Sequence, residues 1–359
     1  MIASKPKIVF VYLGRDFPDY AKASLELFGI TNDLEVVLLA NQSVRQQVLN
    51  PNIEFIPVEE FYDPSTFDQI RRISLNSSTF RDGFWLKTLE RFFVLEQFMI
   101  AFSEKNILHA ELDQLLFRVD HLSKNLIASN FSGLMLPFHS PGIAVASVVF
   151  VSDFGVLTDF VNHSVKQTSF DNEMALLANW AKESPSAVYA APTLSSLKHS
   201  IDYEPRIGLP LVEVSTTQGY LDAAQVGQWV GGIDPRNVPL RSCPMSKFVD
   251  PPRELLLEKS DLSNFVFKFD SDEGFLTIDS KRSMPSRLYN LHLHSKIHRL
   301  LLTDALSFKR FFDISNQELP YRFPGTRHTQ IATWIVEMWH LFSAHPIKSL
   351  TSFLRRIFR

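Results

Sequence analysis

Three polar residues alternate with apolar ones in the run His109-Ala110-Glu111-Leu112-Asp113. On a strand, a period of two turns all three side chains to one face. Ile107 and Leu108 lead in and Leu115 to Phe117 lead out, so the carboxylates stand in an apolar context. Burying one unpaired carboxylate is expensive, and burying two like charges is worse. A divalent cation resolves the conflict, because hard ions take carboxylate oxygens and keep open positions for phosphate. The plainer alternative is a polar strand end facing water.

Two further groupings carry chemistry. Lys87 and Arg91 stand four apart, hence on one face of a helix, with Trp85, Leu86, Leu89, Phe92 and Phe93 around its apolar side. Two cations near two carboxylates would hold a diphosphate between themselves and a metal. Pairing with Glu90, or plain solvation, is the alternative. Downstream, His292, His294 and Lys296 alternate and so share a strand face. Imidazoles at such a place are either metal ligands or half-exposed strand residues.

The elements that must position these groups are legible in the hydropathy pattern. KIVFVYLG (7–14) is a continuous apolar run, the mark of a strand buried on both faces, and is read as a first strand rather than a signal peptide. Residues 18–29 have helical spacing, and LEVVLLAN (34–41) and IEFIPVEEF (53–61) read as second and third strands. Strand, helix and strand at this spacing signal a doubly wound α/β sheet. A strong helix is predicted over 84–103, two strands around a turn over 125–152 with the second at 143–151, and a helix over 171–182. FVFKFDSDEGFLTID (265–279) alternates like an antiparallel hairpin turning at Asp272, Glu273 and Gly274.

Composition narrows the function classes. The chain has 359 residues, 45% of them apolar, enough for a large core. Lys plus Arg is 36 against 39 Asp plus Glu, so no global basic field points to nucleic acid. Cys243 is the single cysteine, which excludes an intramolecular disulfide and a cysteine-based zinc cage and points to a reducing, cytoplasmic setting. No G-x-G-x-x-G, Walker P-loop or G-x-S-x-G motif occurs.

Taken in order, these segments resemble nucleotide-sugar glycosyltransferases of the GT-A fold. GFWLKTLERFFVLEQFM followed by NILHAELDQLL is similar to that family's basic-faced helix and its strand ending in an Asp-x-Asp-type motif, here Glu111-Leu112-Asp113 with glutamate first. The opening 7–41 resembles the family's first strand, helix and second strand, and DNEMALLANW (171–180) a helix behind the site. YLDAAQVGQWVGGIDPRN (220–237) resembles an acceptor-side segment, and LHLHSKIH (291–298) a segment that completes the metal shell.

The resemblance implies a mixed sheet flanked by helices over 1–300, with 301–359 as a helical extension. It implies a metal-dependent transferase moving a sugar from a UDP- or GDP-sugar to a hydroxyl of a glycan or glycolipid. Mn²⁺ or Mg²⁺ would sit on Asp113, Glu111 and His294 or His292. Lys87, Arg91, Lys296, Gly14 and Gln228 would meet substrate, and Asp222 would be the base toward the acceptor or a group that binds it. A non-catalytic nucleotide- or sugar-binding protein on the same fold is the second reading.

The C-terminal segment 322–359 holds Arg322, Arg327, Lys348, Arg355, Arg356 and Arg359 against one acid, Glu337. With Trp334, Trp339, Phe342, Phe353 and Phe358 this reads either as a helix docked on the domain or as a peripheral membrane contact.

Overall fold

The computed structural model describes residues 5–48, 50–73, 83–169, 172–199, 201–226, 265–270, 275–280 and 283–292. His294, Lys296, Gln228, the turn at 272–274 and the whole 301–359 extension lie outside them.

The first half runs β1 (Lys7–Tyr12), α1 (Asp19–Thr31), β2 (Glu35–Ala40), β3 (Ile53–Pro57), α2 (Asp68–Ile73), α3 (Phe84–Ala101), β4 (Ile107–Ala110), β5 (Gln114–Leu116) and α4 (Val119–Ala128). Then come β6 (Leu134–Leu136), β7 (Phe138–Ser140), β8 (Ile143–Ala144), β9 (Val148–Val151), α5 (Phe154–Val165), α6 (Glu173–Glu183) and β10 (Val188–Ala190). Three short helices follow, α7 (Leu194–Lys198), α8 (Tyr203–Ile207) and α9 (Val214–Thr217), and then β11 (Gly219–Tyr220). The last strands are β12 (Phe265–Asp270), β13 (Phe275–Ser280), β14 (Ser283–Leu288) and β15 (Asn290–His292).

Seven strands form the central sheet in the order β10-β6-β9-β4-β1-β2-β3. β1 runs parallel to β2 and β4, and β2 to β3, while β9 is antiparallel to both of its neighbours. This is the mixed, helix-flanked α/β sheet expected from the sequence.

The reason lies in the side chains. Val9 faces the layer holding α3, α5 and α6, whereas Ile8 and Phe10 face α1 and α4, and all three are buried. α3 lays Leu89, Phe92, Phe93, Leu95 and Phe98 against the sheet, with Phe93 edge-on to Phe67 at 4.9 Å. The predicted hairpin is present, with β12 antiparallel to β13 from Phe265↔Ser280 to Asp270↔Phe275.

Three expectations are corrected. The third strand stops at Pro57, where short 3-10 turns begin, because proline cannot donate to a continued ladder. The region 125–152 is the end of α4 and four short strands, not two. Its second half breaks between Ala144 and Val148, where the Val145 amide bonds back to Pro137 and the Ser147 carbonyl is taken by Glu111. The predicted continuous strand through residue 113 also ends early, at Ala110.

Candidate functional site

β4 lies in the middle of the sheet, between β1 and β9. Its carboxyl end is therefore held rigidly, and in open α/β sheets ligands bind beyond such ends. The chain leaves the sheet at Glu111, whose amide donates to Ser147 O at 3.2 Å, and turns through Leu112 and Asp113 into β5. His109 keeps the predicted face but stays one step deeper, under α3. Its Nδ1 donates to Val9 O at 2.9 Å and its ring meets Phe92 at 5.9 Å. Burial first, then the charge of Arg91, push it down to about 3, so it is a neutral core histidine.

The third member of the site comes from far along the chain. β15 pairs antiparallel with β5 and sets His292 opposite Gln114. His292 Nε2 lies 3.2 Å from Asp113 Oδ2, and Nδ1 lies 3.7 Å from Glu111 Oε2. One ligand atom from each of Glu111, Asp113 and His292 falls within 4.8 Å of the others. Burial lowers the His292 pKa, opposed by Glu111 and Asp222, which favours the neutral imidazole that a metal requires. Two partly exposed carboxylates and one buried imidazole form a donor set that could hold a divalent cation.

Arg91 braces this set. Its buried guanidinium lies over the Phe92 ring, with Nη1 2.6 Å from Glu111 Oε1 and Nη2 3.5 Å from Glu173 Oε1. Glu111 therefore gives one oxygen to Arg91 and turns the other toward His292. Glu173 begins α6, which Asn172 caps through Oδ1 to the Ala175 amide. Burial pushes Glu173 up to about 7 against the pull of Arg91. Glu90 is occupied elsewhere, by Arg71 at 2.6 Å and the Tyr62 hydroxyl at 3.1 Å.

An open cleft of about 1240 Å³ lies in front of these groups. Gly14, Lys87, Arg91, Glu111 and Asp113 all line it, with Lys87 exposed at the surface. Gly14 leaves room for the Tyr12 ring to fold over the loop after β1, where a Cβ would collide with it. Asn41, Ser43 and Glu59 line the same cleft from the ends of β2 and β3. Sequence reading passed over these three, and their position just beyond apolar strand runs was the available signal. Phe84 also lines the cleft and meets Trp85 edge-on at 5.0 Å.

Behind the donor set lies a buried polar frame. Asp222 Oδ1 accepts from the Gln225 and Val226 amides at 2.8 and 2.9 Å, and Oδ2 from the His292 amide at 3.1 Å. Its carbonyl accepts from Ser147 Oγ and Asn290 Nδ2, and its own amide donates to Asn290 Oδ1. Asn290 Nδ2 also reaches Gln114 Oε1 at 2.8 Å. Gln225 accepts from Ser195 Oγ and donates to His139 O at 2.9 Å. Asp222, expected to face an acceptor, thus holds the strand that carries His292. Ser147, Asn290 and His139 carried no periodic or motif signal, and within 220–237 attention fell on Asp222 and Gln228 rather than Gln225.

No protein-family model matches the chain, and no curated protein matches its sequence. Among solved structures it is similar to mouse xyloside xylosyltransferase 1 in its apo form, with 8% identity and TM-score 0.37 over 56% of this chain and 93% of that one. It is also similar to galactosyltransferase LgtC in complex with donor and acceptor sugar analogues (12% identity, TM-score 0.36, 57% of this chain and 84% of that one). The glycosyltransferase GlyE of Streptococcus pneumoniae TIGR4 gives 11% identity and TM-score 0.33 over 58% and 53%. No helix among the described residues is long and apolar enough to cross a membrane.

Proposed function

We propose that this protein is a metal-dependent glycosyltransferase that uses a nucleoside-diphosphate sugar, a UDP- or GDP-sugar, and transfers the sugar to a hydroxyl of a glycan or glycolipid. The convergence of Glu111 and Asp113, which line the cleft with Lys87 and Arg91, on the buried His292 carries this reading. These residue types fit a diphosphate with its cation. The order of segments that resemble GT-A enzymes adds support from the sequence side.

In this reading Asp113 and His292 hold Mn²⁺ or Mg²⁺, with Glu111 contributing the oxygen that Arg91 leaves it. The ion, when bound, would neutralise charge developing on the leaving diphosphate. Lys87, exposed at the cleft, supplies a cation for a phosphate oxygen. Arg91 acts mainly by fixing Glu111, since its guanidinium is already engaged by two carboxylates. The loop at Gly14 and the ends of β2 and β3 give the cleft the length to take a nucleoside beside the diphosphate.

Calorimetric titration of the full chain with UDP and GDP, each with Mn²⁺, Mg²⁺ or EDTA, tests the proposal. The expected result is metal-dependent binding of one nucleotide, lost at least a hundredfold in Asp113→Asn while the melting temperature without ligand stays the same. Binding that ignores both EDTA and Asp113→Asn would favour the second reading, a nucleotide-binding protein without transfer. Absence of binding by any nucleotide overturns the proposal.

A further inference from the structure

We propose that the base of the nucleotide is guanine and that the Glu59 carboxylate selects it by accepting a hydrogen bond from the guanine 2-amino group; this deepens the reading of the site just given and rests on it. Glu59 lines the same cleft as Lys87, Glu111 and Asp113 and is exposed there. Its place along the cleft follows from the sheet. β4, β1 and β2 are neighbours and run parallel, so their carboxyl ends open on one side. Glu111 follows the end of β4, and the Glu59 carboxylate holds the Gln42 amide just past the end of β2. Two strand spacings, about 10 Å, separate β4 from β2. A ribose and an α-phosphate bridge a gap of that order, so a diphosphate held by a cation on the donor set sends its base toward Glu59. Charge sets the same orientation, because a carboxylate repels phosphate from its own end of the cleft.

The carboxylate is held in place and keeps room to accept. Glu59 lies in the short 3-10 turn Val58–Glu60, anchored by the buried Val58. Both of its oxygens receive the Gln42 amide, at 3.1 and 3.0 Å, and Oε1 also takes Asn41 Nδ2 at 3.3 Å. Gln42 opens a second turn, Gln42–Gln47, whose last residue clamps the loop after β1. Gln47 Nε2 donates to Arg15 O at 3.1 Å, and Oε1 accepts from the Phe17 amide at 2.7 Å. Carboxylate and cleft wall therefore form one frame, as a substrate contact requires. A carboxylate has about four lone-pair sites, and Oε2 gives only a share of one to the protein. No cation pairs with Glu59 among the described residues, although Arg15 lines the same cleft. A fixed acceptor of this kind selects for donors. Guanine offers N1–H and its 2-amino group side by side, whereas uracil offers one N–H between two carbonyl oxygens that a carboxylate repels. A site built to make such a hydrogen bond rejects analogues that lack the group.

Calorimetry on the full-length protein with Mn²⁺ tests this with GDP, UDP, ADP and inosine diphosphate, which is GDP without the 2-amino group. GDP is expected to bind about tenfold tighter than each of the others, or better, the scale of one hydrogen bond to a charged group. Glu59→Gln keeps an acceptor oxygen for the Gln42 amide but removes the charge. It should cut the preference for GDP over UDP and over inosine diphosphate about fivefold. UDP or ADP bound as tightly as GDP overturns the inference and leaves the metal-dependent nucleotide reading intact. So does inosine diphosphate bound as tightly as GDP, a comparison that needs no variant and decides the matter if Glu59→Gln does not fold. A preference for GDP that survives in folded Glu59→Gln overturns the role of Glu59. Equal weakening of every nucleotide overturns it too, and assigns the carboxylate to the ribose or to the cleft wall. Failure of the unmodified protein to bind any nucleotide overturns the functional reading and this inference together.

Discussion

The front and the back of the site are built by different means. At the front, Lys87, Arg91, Glu111 and Asp113 line an open cleft and interact mainly through charge. At the back, Ser147, Asp222, Gln225 and Asn290 are buried and are joined by short directional bonds to backbone groups. His292 is where the two meet: its ring faces Glu111 and Asp113, and its amide is held by Asp222. Charges in a cleft can exchange partners when a ligand arrives, whereas a buried amide bonded to a carboxylate has no substitute. Ligand affinity should therefore be adjustable at the front without loss of the fold, whereas stability should fail first at the back.

Asp222→Ala is the strongest way to break this contrast. It leaves three buried amides, of Gln225, Val226 and His292, without their acceptor. At about 1–3 kcal/mol for each unsatisfied group, and with partial relaxation, a loss of about 3–5 kcal/mol is expected. Urea unfolding measures it. A variant as stable as the parent, but unable to transfer sugar, would return Asp222 to the catalytic role expected from the sequence and undo the front–back division.

The legibility of the two regions follows the same division. Period-two alternation pointed to Glu111 and Asp113, though they lie past the end of β4 rather than on one strand face with His109, and helical spacing correctly put Lys87 and Arg91 on one side of α3. Charged residues interrupting apolar runs stand out because burying them is expensive. The pattern could not show that His109 stays in the core, because that depends on β1, β9 and Phe92 of α3 closing around it. It also could not show that Arg91 is engaged by Glu173, far along the chain, since ion pairs between distant elements leave no local period. The back was almost invisible. Ser147, Gln225 and Asn290 are ordinary polar residues, and it is Asp222, distant from two of them in sequence, that joins all three.

Glu173 gives a smaller and pH-dependent test. Its folded pKa, raised to about 7 by burial, exceeds the ordinary 4.5. The folded state therefore favours the protonated acid. Below about pH 4.5 the residue adds no penalty, and as pH rises from there to about 7 ionisation costs the fold increasing stability. Above 7 the penalty is constant. Glu173→Gln removes the titration, so its stability relative to the parent should improve between pH 5 and pH 8, by roughly 1–3 kcal/mol. Thermal melts at the two values decide. A difference that does not change with pH would mean that Arg91 keeps Glu173 ionised throughout, and the front would then be a fully charged cluster.

Lys87 should give the smallest effect, and it sharpens the comparison from the front. It is exposed at the cleft, and surface substitutions away from packed or paired features usually stay within about 0.5 kcal/mol. Lys87→Ala should therefore leave unfolding unchanged while weakening nucleoside diphosphate about tenfold, near 1.4 kcal/mol. Because the contact is solvent-exposed, the gap between parent and variant should narrow as salt is raised, and Lys87→Arg should restore most of the affinity. A stability loss would show that this end of α3 is structural, like the frame behind it. An affinity unchanged at low salt would move the diphosphate away from Lys87 and toward the cation's ligands.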